Sequence, residues 1–337
     1  MPPETEIECL ICMHRGMGDD DQIYWSIGEL KPSKGPDPEI LVWGKRYSLG
    51  RRASSGVSLY RRSGVDFPVG AYADENGRLT FLQSSAKFGR GYEWTASLVG
   101  DYGCLGTPTI LEFQDRFWII FRGKDTYLYY AVRGDDGQWA AYPLSTYSEF
   151  KSQDGPGAAV VTGSGGTALY ALFDSADFNE HYIRCTATTG GAWTSPPQII
   201  QTAKDFNVMR SRSRPSILDW DGLTYVAHSG SDDSQIWTAI VEGQVTAGKG
   251  RLVLTRVDIS NQPMQTNDGP TLVALKDKLY LFYRDVEEAW TMFAQWQKQD
   301  PWNTSPWVNP RYVGDGDERH QGYYEIGVCT ARFVPGA

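Results

Sequence analysis

Three arginines stand within five residues in "MRSRSRP", at positions 210, 212 and 214. A guanidinium held against a ligand clamps an anion or polarises a carbonyl oxygen. The cluster occurs once in the chain, which makes Arg214 a candidate catalytic donor and Arg212 a candidate substrate contact. His14 and His228 close two apolar runs, "CLICMH" and "LTYVAH", where an imidazole serves as acid or base near neutral pH or packs as a hydrogen-bonded core residue. Asp154 and Asp268 precede Gly-Pro, and Asp66 precedes Phe-Pro; a carboxylate there does acid–base or ligand-binding work, or caps a turn. Arg15, Arg122 and Arg284 end three apolar runs, as substrate contacts or as bridges between neighbouring elements. Tyr323, Tyr324 and Trp220 add ring surface to the candidate binding set.

These positions are scattered, so a repeat must gather them. "GTPTILEFQDRFWIIFRGKDTYLYYA" (106–131), "RSRPSILDWDGLTYVAHSGSDDSQIWTA" (212–239) and "DGPTLVALKDKLYLFYRD" (268–285) share one plan. Each reads small residue, Pro, Ser or Thr, aliphatics, a polar turn, then an aromatic-rich strand. Weaker copies begin at Asp66 and Asp154. Prolines 68, 108, 156, 215 and 270 are 40, 48, 59 and 55 residues apart, the spacing of β-propeller blades, each a four-stranded antiparallel sheet. "IECLICMHRGMGDDDQIYWSI" supplies second and third strands without a first, and "YYEIGVCTARFV" at the C-terminus matches the missing one. The expectation is an all-β, six-bladed β-propeller, one domain over 1–337, closed by the C-terminal strand joining the N-terminal blade. Closure removes exposed sheet edges. Residues just before each first strand and just after each second strand then ring one mouth of a central funnel, which gathers the candidates above together with Lys124 and Asp174.

Composition narrows the ligand. A net charge of −9 and a pI near 5.0 oppose phosphate backbones, so no nucleic-acid partner is expected. The N-terminus lacks a basic segment followed by an apolar one, and no apolar run approaches membrane-spanning length; the expectation is a cytoplasmic protein without a membrane partner. Five cysteines, an odd number, suit reduced thiols. Cys9 and Cys12 on a strand point to opposite faces, so they form no zinc pair, and no metal is expected. No phosphate-binding Gly loop, H-E-x-x-H or Gly-x-Ser-x-Gly elbow is present, and no cofactor is expected. Oligomeric state is left open.

The outer strands carry their own marks in "LYYAVRGDDGQWAAYP" (128–143), "IRCTATTGGAWTSP" (183–196) and "GYEWTASL" (91–98). In Ile183-Arg184 and the two Gly-x-Trp turns the chain resembles the fungal fucose-lectin family and related bacterial lectins. That resemblance implies a six- or seven-bladed propeller holding sugars between blades through an Arg, a Glu and a stacking aromatic. The chain departs from the pattern where Cys185 follows Arg184 and where Tyr129-Tyr130 occupies the aligned place in the preceding blade. Lectin-like propellers also serve as cyclases of fungal secondary metabolism, of hetero-Diels–Alder type. The leading expectation is therefore a cofactor-independent enzyme holding one small organic substrate in the funnel, a biosynthetic cyclase. The alternatives are a carbohydrate-binding lectin, and then a glycosidase-like hydrolase or a protein-interaction propeller.

Overall fold

Two-residue turns set the first hairpin of several units. Gln114 and Asp115 (φ 52° and 60°), Asp221 and Gly222 (53° and 75°) and Lys276 (55°) take left-handed backbone between paired strands. That twist matches an antiparallel pair, and Asp-Gly is its plainest sequence signal.

The computed structural model describes the chain outside residues 1–6, 35–38, 63–66, 87–91, 146–147, 164–165, 178–179, 201–208, 243–250, 257, 260–261, 297–306, 316–317, 322 and 334–337. The fold is all-β; among the described residues only Ser148–Phe150 is helical, as one 3-10 turn. No helix is long and apolar enough to cross a membrane.

Most strands fall into units of four, the first two units running together in one eight-stranded sheet; Asp258–Ile259 with Gln262–Pro263 and Gly314–Asp315 with Glu318–Arg319 form two-stranded sheets besides. In the first, Tyr323–Phe333 from the C-terminus pairs with Ile7–Arg15, followed by Gln22–Pro32 and Glu39–Trp43. The second contains Tyr47–Tyr60, Val69–Asp74, Arg78–Ala86 and Tyr92–Gly103, and is joined to the first where Tyr47 pairs with Trp25. The third is Leu105–Phe113, Arg116–Arg122, Leu128–Arg133 and Trp139–Pro143. The fourth is Gly157–Gly163, Gly166–Asp177, Glu180–Thr188 and Gln198–Ile199. The fifth is Ser216–Trp220, Leu223–Ser229, Ile236–Glu242 and Arg251–Arg256. The sixth is Thr271–Leu275, Lys278–Arg284, Thr291–Trp296 and Trp307–Tyr312.

The first strand of each unit lies against the first strand of the next, and Thr271–Leu275 lies against Tyr323–Phe333. The apolar core sits in the seams. One buried cluster joins the first and second units through Ile11, Trp25, Val57 and Tyr72, and another joins the fifth and sixth through Tyr225, Leu281, Trp296 and Trp307. Each fully buried Leu or Phe contributes about 1.5–3 kcal/mol. Cys9 and Cys12 belong to different clusters, on opposite faces of their strand, and all five cysteines are buried free thiols.

One expectation needs correcting. The stretch after Pro68 is the second strand of its unit; the first is the 53–60 part of Tyr47–Tyr60. Its serines disguise it, yet two of them are spent on backbone groups, one in the next strand and one in the next unit. Ser55 Oγ accepts from Ala73 N (2.9 Å) and Ser58 Oγ accepts from Ile110 N (3.1 Å). The stretch 298–321 carries no copy of the repeat in sequence, yet Trp307–Tyr312 within it is the fourth strand of the sixth unit; 298–306 lies outside the described residues.

Candidate functional site

The first strands converge so closely that their side chains compete for space. Thr109 Oγ1 donates to Pro156 O and Thr271 Oγ1 to Ile326 O, which puts Ile326 in the place that the third to sixth units give to proline and the second gives to Val57. One residue earlier, the six strands present Gly56, Thr107, Gly155, Arg214, Gly269 and Glu325. A methyl group at Gly155 would stand 1.9 Å from Thr107 O, and one at Gly269 would stand 2.3 Å from Arg214 O. Glycine on alternate strands leaves room for three side chains: Thr107, Arg214 and Glu325.

These three meet Asp154 and Asp268. Glu325 is 2% exposed and accepts a hydrogen bond from Thr107 Oγ1. The Asp154 carboxyl lies beside that of Glu325. Burial and the neighbouring Glu325 push Asp154 well above the usual carboxylate range. Its oxygens also accept from Gly155 N (2.6 Å) and Arg214 N (3.3 Å). Asp268 is raised to about 7 by burial and by Glu325, with Arg284 pairing to it in opposition. The Arg214 guanidinium is 7% exposed and already engaged: Nη2 donates to Thr109 Oγ1 (2.7 Å) and Nε to Pro156 O (3.0 Å).

The remaining candidates divide. Arg122 is half-buried near Asp154 and Asp174, and desolvation lowers its pKa. Arg15 ends its strand opposite Tyr323 and Ile23; Tyr323 and Tyr324 lie on the C-terminal strand. Arg212 is exposed. Asp66 lies outside the described residues. Trp220 sits at the far end of Ser216–Trp220, beside the Asp221-Gly222 turn and 5.9 Å from the Tyr225 ring, six residues along from Arg214.

His14 and His228 are buried, and desolvation lowers both to about 4, so each is neutral at pH 7. Each Nδ1 lies near the carbonyl of the following residue, at 3.3 and 3.2 Å. His14 packs 5.2 Å from the buried His320 ring. His320 fills a place that Phe150, Met209 and Met264 fill in other units, one residue before the bridged Gln321, Lys151, Arg210 and Gln265. In the seam of the third and fourth units the corresponding contact is Phe150 on Phe173, at 6.1 Å.

A second set of polar groups, missed in the sequence, lies where the third strands begin. Tyr127, Tyr182 and Trp290 occupy equivalent bridged positions, opposite Lys151, Arg210 and Gln321. Lys151 Nζ stands 5.0 Å over Tyr127, and the Arg210 guanidinium 5.8 Å over Tyr182. Arg319 covers both Trp290 (5.7 Å) and Tyr312 (4.1 Å). In the first unit Arg46 lies 4.4 Å over Tyr24, two residues further along its strand. The rings are half-buried or exposed and the cations exposed, the arrangement of a cation–π pair open to solvent. Three of these couples carry a neighbouring carboxylate. Asp20 accepts from Tyr24 Oη (2.8 Å), Asp125 from Tyr127 N (3.2 Å), and Glu288 from Trp290 Nε1. The fifth unit has Gln235 and Gln265 at this place. The sequence signal was an acid followed two to four residues later by Tyr or Trp.

No family model and no curated protein matches the sequence. Among solved structures the chain is similar to AofleA from Arthrobotrys oligospora, at 9% identity over 99% of this chain and 94% of that one, with a TM-score of 0.59. It is also similar to the Aleuria aurantia lectin in complex with Fucα1-6GlcNAc, at 10% identity over 78% and 79%, with a TM-score of 0.50. At such identities the likeness is one of fold.

Proposed function

We infer that this protein is a carbohydrate-binding, lectin-like propeller of six blades, its ring closed where the C-terminal strand joins the N-terminal unit. The observation that carries the reading is the recurrence of an aromatic ring under a cation in four units, three of them with a carboxylate alongside. A ring face suits the apolar face of a sugar, while a carboxylate and a cation together suit hydroxyls, which both donate and accept. Recurrence in several units is what a multivalent binder requires.

The axial residues fit this reading as structure. A cyclase would ask for an unengaged donor at the axis, and the Arg214 guanidinium is held by Thr109 and Pro156. The ligand class is a neutral glycan, because each complete couple sets a carboxylate beside its cation. The test is a glycan array probed with the wild type and with the quadruple variant Tyr24→Ala, Tyr127→Ala, Tyr182→Ala, Trp290→Ala. The reading expects binding to a defined set of glycans, lost in the folded quadruple variant. Binding to no glycan, or binding unchanged in the variant, overturns it.

A further inference from the structure

Three backbone hydrogen bonds tie the third strand of the sixth unit to the chain beyond its fourth: Thr291 N donates to His320 O (2.7 Å), Val313 N to Thr291 O (2.8 Å) and His320 N to Val313 O (2.9 Å). Ile183, Ile200 and Met209 make the same three bonds in the fourth unit, and Ile236 N donates to Met264 O in the fifth. The sixth unit therefore sets a hydroxyl and an imidazole where the others set Ile and Met. Facing them is His14 of the first unit, whose ring lies 5.2 Å from that of His320; in the seam of the fifth and sixth units Tyr283 joins Ile236 and Met264 in one apolar cluster. His14, Thr291 and His320 are all but wholly buried. Yet His14 Nε2, both ring nitrogens of His320 and Thr291 Oγ1 have no hydrogen-bond partner among the described residues. Buried polar groups are ordinarily paired, so this seam is held less firmly than its neighbours.

The pair sits behind two aromatic–cation couples. Tyr24 stacks on His14 at 5.9 Å and carries the Arg46 guanidinium 4.4 Å over its ring. Trp290 and Arg319, the couple of the sixth unit, directly precede Thr291 and His320 in the chain. Arg46 opposes a positive charge on either imidazole, and His14 opposes one on His320. The other charges around the pair are Asp20, which accepts from Tyr24 Oη (2.8 Å), Arg284, opposite Thr291 and paired with Asp268, and Arg15, next to His14. Burial holds both rings neutral at pH 7. A proton taken from acidic solvent would place a cation among unpaired buried groups and beside Arg46, and parting the seam relieves it. His228, which holds the place of His14 in the fifth unit, stands without a second imidazole, and Asp233 favours its charged form. We propose that the His14–His320 pair is an acid-operated gate between the sixth and first units. Protonation drives Arg46 from Tyr24, loosens the Thr291–His320 bonds and releases ligand from the couples of these two units, while the couple of the third unit keeps its own. The release rests on the glycan reading of the couples; the opening of the seam does not.

Amide hydrogen exchange without glycan reads the seam directly, with the Ile236 amide of the fifth unit as internal control. Between pH 7 and pH 4, after correction for intrinsic rates, protection of Thr291, Val313 and His320 should fall about tenfold or more relative to Ile236. The double variant His14→Phe, His320→Phe should abolish the difference; where it does not fold, His320→Met, which copies Met209, takes its place. Equal protection at pH 4, or a difference that survives the variant, overturns the gate. Glycan titration then reads release, using the best ligand from the array. The Tyr127→Ala, Tyr182→Ala protein keeps the first and sixth couples and should lose about tenfold in affinity over the same range. The Tyr24→Ala, Tyr182→Ala, Trp290→Ala protein keeps the third couple, beside the Phe150–Phe173 contact, and should lose far less. The third couple has its own carboxylate, Asp125, so titration of a couple's acid would appear in both proteins; equal losses overturn the release. A seam that opens in acid in a protein that binds no glycan sinks the lectin reading alone, and glycan binding over an acid-indifferent seam sinks the gate alone.

Discussion

Asp154 and Glu325 stand side by side where the first strands of the fourth and first units converge, and burial together with the neighbouring Glu325 holds Asp154 well above the usual carboxylate range. Arg214 and Arg284 supply two positive charges beside the three carboxyls of Asp154, Asp268 and Glu325. That crowding of carboxyls is one cause of the raised values of Asp154 and Asp268.

The raised values of Asp154 and Asp268 make the centre sensitive to base. The folded pKa values of Asp154 and Asp268 lie above the ordinary 3.8, so their stabilisation is complete below that pH and fades as pH rises through the folded values, about 7 for Asp268. Asp268→Asn should remove a loss of up to about 4 kcal/mol between pH 4 and pH 8. Urea unfolding across that range checks it: the variant's stability should fall less with rising pH than the wild type's.

The histidines act with opposite sign. His14 and His228 are lowered to about 4 and His320 to about 3, from 6.5, so their stabilisation is present above pH 6.5 and is lost as pH falls toward 4. In the wild type the two effects partly offset. The double variant His14→Phe, His320→Phe copies the Phe150–Phe173 contact of another seam and should flatten the acid limb without loss at pH 7. Melting temperatures at pH 5 and pH 7 give the readout; an acid limb as steep as the wild type's contradicts the assignment.

Alternation of glycine at the axis is a packing requirement. Gly155→Ala sets a methyl 1.9 Å from the Thr107 carbonyl oxygen and should destabilise by about 3 kcal/mol or more, or prevent folding. Gly191→Ala, with nothing within 4 Å, should be near neutral. Chemical denaturation of both variants separates close approach from a general intolerance of change.

Arg214→Met should cost about 3–5 kcal/mol by leaving the buried carboxyls without their guanidinium. Because Arg214 holds the axis and not a glycan, Arg214→Lys, where it folds, should keep wild-type glycan affinity. Unfolding curves and glycan titration on one preparation measure both.

The repeat was legible because its turns and prolines have a local cause. Asp221-Gly222 and Gln114-Asp115 must adopt left-handed backbone, and the aliphatic runs beside them must pair. Asp154, Arg214 and Asp268 converge because each stands one or two residues before the same proline. Glu325 is hard to see because Ile326 replaces that proline in the C-terminal strand, and its partner Thr107 reads as an ordinary strand residue. The 53–60 strand was hidden by serines whose hydroxyls bond to backbone groups of the neighbouring strand and of the next unit. The aromatic–cation couples were invisible for a different reason: Tyr127 and Lys151, or Tyr182 and Arg210, are far apart in sequence and meet only when the chain returns from its fourth strand.

The most direct test is the stoichiometry of glycan binding to one chain, counted by native mass spectrometry with the best ligand from the array. The account predicts more than one equivalent in the wild type, with one lost on each of Tyr127→Ala, Tyr182→Ala and Trp290→Ala. A single equivalent that survives all three substitutions and disappears with Arg214→Lys would contradict it and return the function to the axis.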